Sequence, residues 1–254
     1  MTASIGVVVP AYRPDVSVLT THVDRLQTAV DPATVLVTLD DPAPGVATRL
    51  RDSGATVDVS PTRRGKGTAI SMGFDRLDAD RVAFSDADAS TPAESVAAVV
   101  AALDDAAVAV GSRRHPDATI DAHQSRLRRR LGDGFAWLAR HVLDLDLYDF
   151  QCGAKAMTAT AWNRLRNHVT ASGFGWDVEV LGLADALGFP IAEVPVRWRD
   201  RPGSSVPPVR TALRLMAVLA RTRSRASRLG PARAAGTVEG GDRSTRVRSD
   251  GAGD

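Results

Sequence analysis

The first 112 residues alternate short apolar runs with segments of helical periodicity, and this alternation limits the fold most strongly. The run Ile5–Val9 is continuous and β-branched, as is typical of a strand buried on both faces. The following segment, 16–30, repeats apolar residues at helical spacing. Further strands are predicted at 34–39, 56–59, 81–85 and 107–110, with helices between them. This order predicts an α/β fold, with a mostly parallel central sheet and helices on both faces.

The C-terminal part has a different pattern. A helix is predicted over 125–143, and an amphipathic helix whose apolar face carries Val209, Leu213, Met216 and Leu219 follows near the end. Residues 199–228 contain eight arginines and one aspartate. We therefore expect a domain at 1–206, a basic membrane-surface helix at 207–228 and a disordered tail at 229–254. Lipid headgroups and nucleic acid are both anionic partners for such a segment.

Composition indicates the cellular compartment in which the chain is expected. No stretch approaches the roughly 18 uncharged apolar residues that a membrane-spanning helix needs. The single cysteine, Cys152, excludes an intrachain disulfide and favours packing over reactivity. The sequence begins directly with a strand, without an export signal, so we expect a cytoplasmic protein.

Polar motifs follow the predicted strands, where ligands of parallel sheets bind. They are Pro10-Ala-Tyr12, Asp40-Asp41, Gly65-Lys66, Asp86-Ala-Asp88 and Gly111-Ser-Arg113. Asp86 and Asp88 are carboxylates of the kind that hold Mg²⁺ or Mn²⁺ against a diphosphate. Lys66, between glycines at a predicted helix start, suits an anion. The competing interpretations are a solvated turn for the aspartates and a surface position for the lysine.

Six segments in this order resemble family-2 glycosyltransferases of GT-A fold, in the branch that glycosylates polyprenyl phosphates. They are Val7–Tyr12, Arg64–Ala69, Phe84–Pro92, Val110–Arg113, Asp149–Lys155, and Gly173–Leu181 together with Ala192–Trp198. The resemblance spans about residues 5–206 and is closer to dolichyl-phosphate glucose synthases than to mannose synthases.

For the donor, the resemblance implies that the nucleotide base lies along Pro10, Ala11 and Tyr12. Asp15 and Asp40 are the implied contacts to base or ribose. The sugar diphosphate is expected against Gly65, Lys66, Asp86 and Ala87, with Asp86 and Asp88 as ligands of Mg²⁺ or Mn²⁺. At position 90, where mannose synthases carry Gln, this chain has Ser90.

For the acceptor, the resemblance implies phosphate contacts from four arginines: Arg113, Arg126, Arg129 and Arg130. The expected lining of the site is Ser90, Gln151, Lys155 and Glu179. Asp88, Asp177 and Arg113 are the expected catalytic residues. Asp177 is favoured over Glu179 because two helical residues that are two apart do not face one target.

The expected function is inverting transfer of a hexose, glucose foremost, from a nucleotide sugar such as UDP-glucose or GDP-mannose. The expected acceptor is a polyprenyl or dolichyl phosphate at the cytoplasmic membrane face. A hydroxyl acceptor and a non-catalytic sugar-nucleotide-binding protein remain alternatives. A nucleotidyltransferase is disfavoured because no Gly-rich, Arg-containing loop follows the first strand. Nucleic-acid motifs are absent from the sequence, so no nucleic-acid partner is expected.

Overall fold

The computed structural model describes residues 3–121, 126–199 and 208–230. The strands of these ranges are β1 (Ile5–Tyr12), β2 (Thr34–Asp40), β3 (Thr56–Ser60), β4 (Arg81–Ser85), β5 (Val108–Ser112), β6 (Thr119–Ile120), β7 (Ala154–Thr158), β8 (Ile191–Pro195) and β9 (Arg197–Trp198). The helices are α1 (Val16–Val30), α2 (Val46–Asp52), α3 (Lys66–Arg76), α4 (Ala93–Ala101), α5 (Arg126–Leu143), α6 (Ala159–Leu165), α7 (Trp176–Ala186) and α8 (Pro208–Leu229).

The central sheet of the described residues has seven strands in the order β3-β2-β1-β4-β7-β5-β8. Its pairings are parallel except at β7, which runs antiparallel between β4 and β5. A small second sheet pairs β6 with β9. The mostly parallel sheet is the one predicted, whereas the direction of β7 and the short helix α6 were not predicted.

Two apolar layers cover the sheet. One layer packs α1, α2 and α4 on residues such as Val7, Val9 and Val37. The other packs α3 and α5 to α8 around an aromatic cluster formed by Phe74, Phe84, Trp162 and Trp176. The sheet is therefore buried on both sides, as its continuous apolar strands require.

The last helix, α8, packs on the body along α7 and α5. Its buried residues are Leu215, Leu219 and Thr222, while Met216 is exposed. Of the predicted apolar face, Leu219 is thus buried against the body and Met216 is exposed, whereas the side chains of Val209 and Leu213 lie outside the described residues. The predicted disordered tail lies, beyond Gly230, outside the described residues. No helix in the described ranges combines the length and apolarity needed to cross a bilayer.

Candidate functional site

The carboxyl ends of β1, β2, β4 and β5 meet at one edge of the sheet and bring the predicted motifs together. Tyr12, the last residue of β1, lies opposite Asp40, the last residue of β2. Ser85 ends β4 directly before Asp86, and Arg113 follows the end of β5. The strand register thus carries the motifs to the edge where ligands of such sheets bind.

Both lysines of the chain converge on Asp177, in the first turn of α7. Lys155 Nζ lies 2.7 Å from Asp177 Oδ1 and also donates to the Cys152 carbonyl at 3.0 Å. Lys66 Nζ lies 3.3 Å from Asp177 Oδ2 and 2.9 Å from Asp86 Oδ1. We call these four charged residues the lysine–aspartate array. Through Lys66, the array links a buried carboxylate to the half-exposed carboxylate of Asp86.

The charges within the array keep Asp177 ionised and Lys66 protonated. Burial alone would raise the pKa of Asp177, but the charges of Lys155 and Lys66 outweigh it and hold that pKa below its usual range. Burial alone would lower the pKa of Lys66, but Asp177 and Asp86 outweigh it and raise that pKa. Asp177 is therefore an anion with both oxygens occupied, which disfavours a role as proton acceptor.

The loop after β4 presents the two carboxylates of the predicted metal site. Asp88 is exposed, and its Oδ1 accepts from the backbone N–H of Ser90 at 2.9 Å. A Cβ atom on Gly153 would lie 2.3 Å from Asp86 Oδ2, so only glycine leaves room for that carboxylate. The backbone N–H of Asp86 donates to the Gly153 carbonyl at 2.9 Å, which holds the two segments together.

Two carboxylates beside solvent fit a Mg²⁺ or Mn²⁺ ion that keeps several waters and binds phosphate oxygens. Among the described residues, no three His, Cys, Asp or Glu side chains are grouped as a metal site. Ser90 is buried, and its carbonyl accepts from the backbone of Arg199. A third protein ligand thus remains unassigned in the part of the chain that the structure describes.

Asp149, Arg113 and Arg114 form a second charged group, which we call the arginine–aspartate array. The Arg113 guanidinium donates to both carboxylate oxygens of Asp149, with Nε–Oδ2 at 2.7 Å and Nη2–Oδ1 at 3.1 Å. Arg114 Nη1 lies 3.2 Å from Oδ1. Burial alone would raise the pKa of Asp149, but Arg113 and Arg114 lower it well below its usual range. Glu193 accepts the backbone N–H groups of Tyr148 and Asp149, which fixes the loop that supplies the carboxylate.

Two residues predicted to bind the donor have structural partners within the protein. Asp15 is the N-cap of α1 and accepts from the backbone of Ser17 and Val18. Asp40 accepts from the backbone and side chain of Arg64, and its side chain is only 4 % exposed. Both residues therefore position local backbone, and their predicted nucleotide contacts stay predictions.

Gly65 and Gly67 lie against protein backbone. A Cβ atom at Gly65, whose φ is +96°, would lie 2.5 Å from the Ser172 carbonyl oxygen, and one at Gly67 would lie 2.4 Å from that of Ala171. The sequence suggested that these glycines admit a ligand. The structure shows that both glycines admit the segment 171–173, and the predicted contact of Gly65 with the diphosphate stays a prediction.

The first segment ends at the exposed Tyr12, whose ring lies under the Arg63 guanidinium at 4.3 Å. Ala11 is buried and Pro10 and Ala87 are partly buried. Tyr12 is therefore the exposed member of this segment, and its predicted contact with the base stays a prediction.

Two predicted lining residues face elsewhere. Glu179 accepts from the Thr170 and Ala171 backbone and pairs with Arg225 at 2.7 Å, so it lies beneath the segment 168–173 and outside the site. Lys155 is fully buried and acts through Asp177. Of the Asp177–Glu179 pair, Asp177 is the one that contacts Lys66 and, through it, Asp86, while its predicted catalytic role stays a prediction.

The remaining predictions concern Gln151 and the basic helix. Gln151 is partly buried, and its backbone N–H donates to Asp149. Arg130 is exposed on α5. The side chains of Arg126 and Arg129 lie outside the described residues, so their predicted phosphate contacts stay predictions.

Sequence reasoning missed the roles of Asp149, Gly153 and Arg64. Asp149 and Gly153 lie inside the recognised segment Asp149–Lys155, but their importance depends on contacts with Arg113 and Asp86 that are distant in sequence. Arg64 joins Asp40 to Asp58. Its place beside Gly65 was the available signal.

Comparison with known proteins identifies the family of the chain. The model of the family described as Glycosyl transferase family 2 matches residues 7–164. The chain is 31 % identical over 230 residues to the glycosyltransferase AglD of Haloferax volcanii, covering 86 % of this chain and 36 % of AglD. It is 34 % identical over 152 residues to the dolichyl-phosphate beta-glucosyltransferase of Mus musculus, covering 57 % of this chain and 47 % of that protein. The chain thus spans less than half the length of both relatives.

Among solved structures, the chain is similar to glucosyl-3-phosphoglycerate synthase of Mycobacterium tuberculosis in complex with Mg²⁺ and uridine-diphosphate. The TM-score is 0.64 at 20 % identity, covering 87 % of this chain and 80 % of that chain. This likeness confirms the expected GT-A fold. Because the family match extends over more than half of its length, the chain belongs to glycosyl transferase family 2.

Proposed function

We propose that this chain transfers a hexose, glucose foremost, from a nucleotide diphosphate sugar to a polyprenyl phosphate at the cytoplasmic face of a membrane. The observation that carries the proposal is that two cationic side chains, one from each array, lie near Asp86: these are Lys66 and Arg113. Lys66 reaches Asp86 from one side, and Arg113 follows β5 on the other. Two phosphate groups, one of the donor and one of the acceptor, match this division.

Asp86 and Asp88 would hold the divalent cation, which withdraws charge from the departing diphosphate when bound. Lys66 would supply a further positive charge to that diphosphate from the N-terminus of α3. In the reaction, an acceptor phosphate oxygen forms a bond to the anomeric carbon as the bond from that carbon to the diphosphate breaks. The nucleoside diphosphate leaves, and attack from the opposite side inverts the configuration.

The state of Asp177 favours a phosphate over a hydroxyl as the nucleophile. A phosphate monoester has a second pKa near 6 and is already mostly dianionic at neutral pH, so it needs positioning rather than deprotonation. A hydroxyl acceptor needs a base, yet both oxygens of Asp177 are paired with lysines. The Mus musculus relative, whose name is dolichyl-phosphate beta-glucosyltransferase, supports the same choice.

The direct test is a screen of UDP- and GDP-sugars with Mg²⁺ or Mn²⁺ and a short polyprenyl phosphate, following the glycolipid product. We expect product that disappears with EDTA and in Asp88→Asn. Product formed only with a hydroxyl acceptor would contradict the proposal. Nucleotide-sugar binding without turnover would favour the non-catalytic alternative.

The chemical step has its own test. An acceptor phosphonate with a higher second pKa should shift the acid limb of the kcat/KM profile upward, because the limb then reports the acceptor. An unchanged limb that instead disappears in Asp177→Asn would identify Asp177 as a titrating base and overturn this account.

Membrane association is part of the proposal. The outer side of α8 exposes Arg214, Arg221, Arg223 and Arg228, and α5, which packs against α8, exposes 61 % of Trp137. Basic residues near an anionic bilayer each contribute roughly 1 kcal/mol to membrane binding, and tryptophan is enriched at the membrane–water interface.

We expect the double variant Arg221→Glu/Arg228→Glu to sediment less with anionic vesicles. The control Arg49→Glu/Arg51→Glu alters two exposed arginines of α2 on the other sheet face. Equal loss in both variants would contradict a specific surface.

A further inference from the structure

The C-terminal part of α8 is tied to the segment 168–173 by one arginine. The Arg225 guanidinium donates to Glu179 Oε1 at 2.7 Å, to Thr170 Oγ1 at 2.6 Å and to the carbonyl of His168. Its side chain is 30 % exposed, and that of Glu179 is 4 % exposed. A charged fork in this partly buried place holds its partners more strongly than a surface ion pair does.

Glu179, which Arg225 holds in place, in turn holds the backbone of the segment 168–173. Its carboxylate accepts from the N–H groups of Thr170 at 2.8 Å and Ala171 at 2.6 Å. It also accepts from the Thr170 hydroxyl at 2.8 Å. Both carboxylate oxygens are thus used to shape the chain just before 171–173.

The segment 171–173 in turn lies against the start of α3. The backbone N–H of Thr68 donates to the Ser172 carbonyl at 3.2 Å. The space for a Cβ at Gly65 or Gly67 is filled by carbonyl oxygens of Ser172 and Ala171. A shift of this segment would therefore move the residues on both sides of Lys66.

We infer that Arg225 is a positioning residue for Lys66. Through Glu179 and the segment 168–173, it sets the start of α3 and hence the distances from Lys66 to Asp86 and Asp177. Its effect on turnover rests on the proposed function, but its effect on the α3 backbone does not. Helix α8 is thus connected through these contacts to the diphosphate side of the site.

Hydrogen exchange of the full chain, followed by mass spectrometry, tests the inference without turnover. In Arg225→Met, we expect amides of 65–70 and of 168–173 to exchange at least about fivefold faster than in the wild type. Arg223→Met, which removes an exposed arginine two residues away on α8, should leave both peptides unchanged. Arg225→Lys should restore part of the protection, because it keeps the charge without the fork.

Faster exchange confined to 168–173 and α8, with 65–70 as in the wild type, would overturn the inference, since Arg225 would then be only a local structural residue. If Arg225→Met does not fold, Glu179→Gln gives the same readout with a smaller perturbation, and unchanged exchange of 65–70 in that variant would overturn the inference equally. Where transfer is measurable, kcat should fall more than KM rises in Arg225→Met, with recovery in Arg225→Lys. The exchange result in a chain that transfers no sugar would support the inference while rejecting the proposed function.

Discussion

The two arrays at the sheet edge share a plan and differ in their cations. Asp177 and Asp149 are both buried anions, each between two positive side chains. Asp177 is held by lysines, and Asp149 is held by arginines. A lysine ammonium is a compact point charge, whereas an arginine fork locks both oxygens of a carboxylate.

Because of this difference, the cations of the two arrays contact different numbers of carboxylates. Arg113 uses its fork and its backbone N–H on the single carboxylate of Asp149, which makes that region a fixed wall. Lys66 divides its charge between Asp177 and Asp86, so the other array extends to the predicted metal loop. The arginine–aspartate array therefore makes its region rigid, whereas the lysine–aspartate array also fixes the position of the predicted metal-binding loop.

The largest expected effect is that of Asp177→Asn on stability. Lys155 is fully buried, and losing its counter-ion should lower the free energy of unfolding by about 3–5 kcal/mol. Urea denaturation measures this change. The control Asp88→Asn, at an exposed carboxylate, should change stability by less than about 0.5 kcal/mol while abolishing transfer. Similar stabilities of the two variants would show that the lysine–aspartate array does not carry this energy.

A smaller loss, about 2 kcal/mol, is expected for Asp149→Asn. The side chains of Arg113 and Arg114 are 19 % and 23 % exposed, so water can solvate part of the charge left behind. The same denaturation experiment ranks the two aspartates. A loss at Asp149 that exceeds the loss at Asp177 would reverse the comparison and place the more tightly held anion among the arginines.

Gly153→Ala probes the carboxylate that the lysine array reaches. The added Cβ would lie 2.3 Å from Asp86 Oδ2, so the carboxylate must move. We expect about a tenfold weaker affinity for Mn²⁺, as for other changes to the support of a metal ligand, measured by calorimetry with the metal alone. Gly134→Ala in α5, where a Cβ meets nothing within 4 Å, is the matched control. Equal Mn²⁺ affinities would show that Asp86 does not need its present position.

The sequence predicted the sheet and the edge where the motifs meet, because apolar runs report burial directly. The strand Arg81–Ser85 and the helix Val16–Val30 were placed to the residue. The antiparallel β7 could not be predicted, since its direction depends on pairing with strands far away in sequence. The predicted motifs do meet at the carboxyl ends of the strands, while their roles in binding and catalysis stay predictions.

The hydrogen-bond and ion-pair partners of the site residues could not be predicted from apolar runs or motifs. Glu179 and Asp177 are two residues apart in one motif, yet one supports a backbone segment and the other faces the site. Asp15 and Asp40 were expected to contact the nucleotide because the resemblance to family-2 glycosyltransferases implies such contacts at these positions. Their roles as a helix cap and a loop anchor depend on hydrogen bonds that only folding creates.

The smallest expected effect concerns pH, and it decides between an anchored anion and a proton acceptor. The pKa of Asp177 is lowered in the folded state, so its stabilisation is present above its unfolded value near 4 and is lost as pH falls through the folded pKa. The pKa of Lys66 is raised, so its stabilisation is present below its unfolded value near 10.4 and is lost as pH rises through the folded pKa. The carbon-13 chemical shift of the Asp177 carboxyl in the wild type should therefore show no titration from pH 5 to 9. A titration centred near pH 6 to 7 would mean that Asp177 takes up a proton there, and the array would then have to be reinterpreted as the support of a general base.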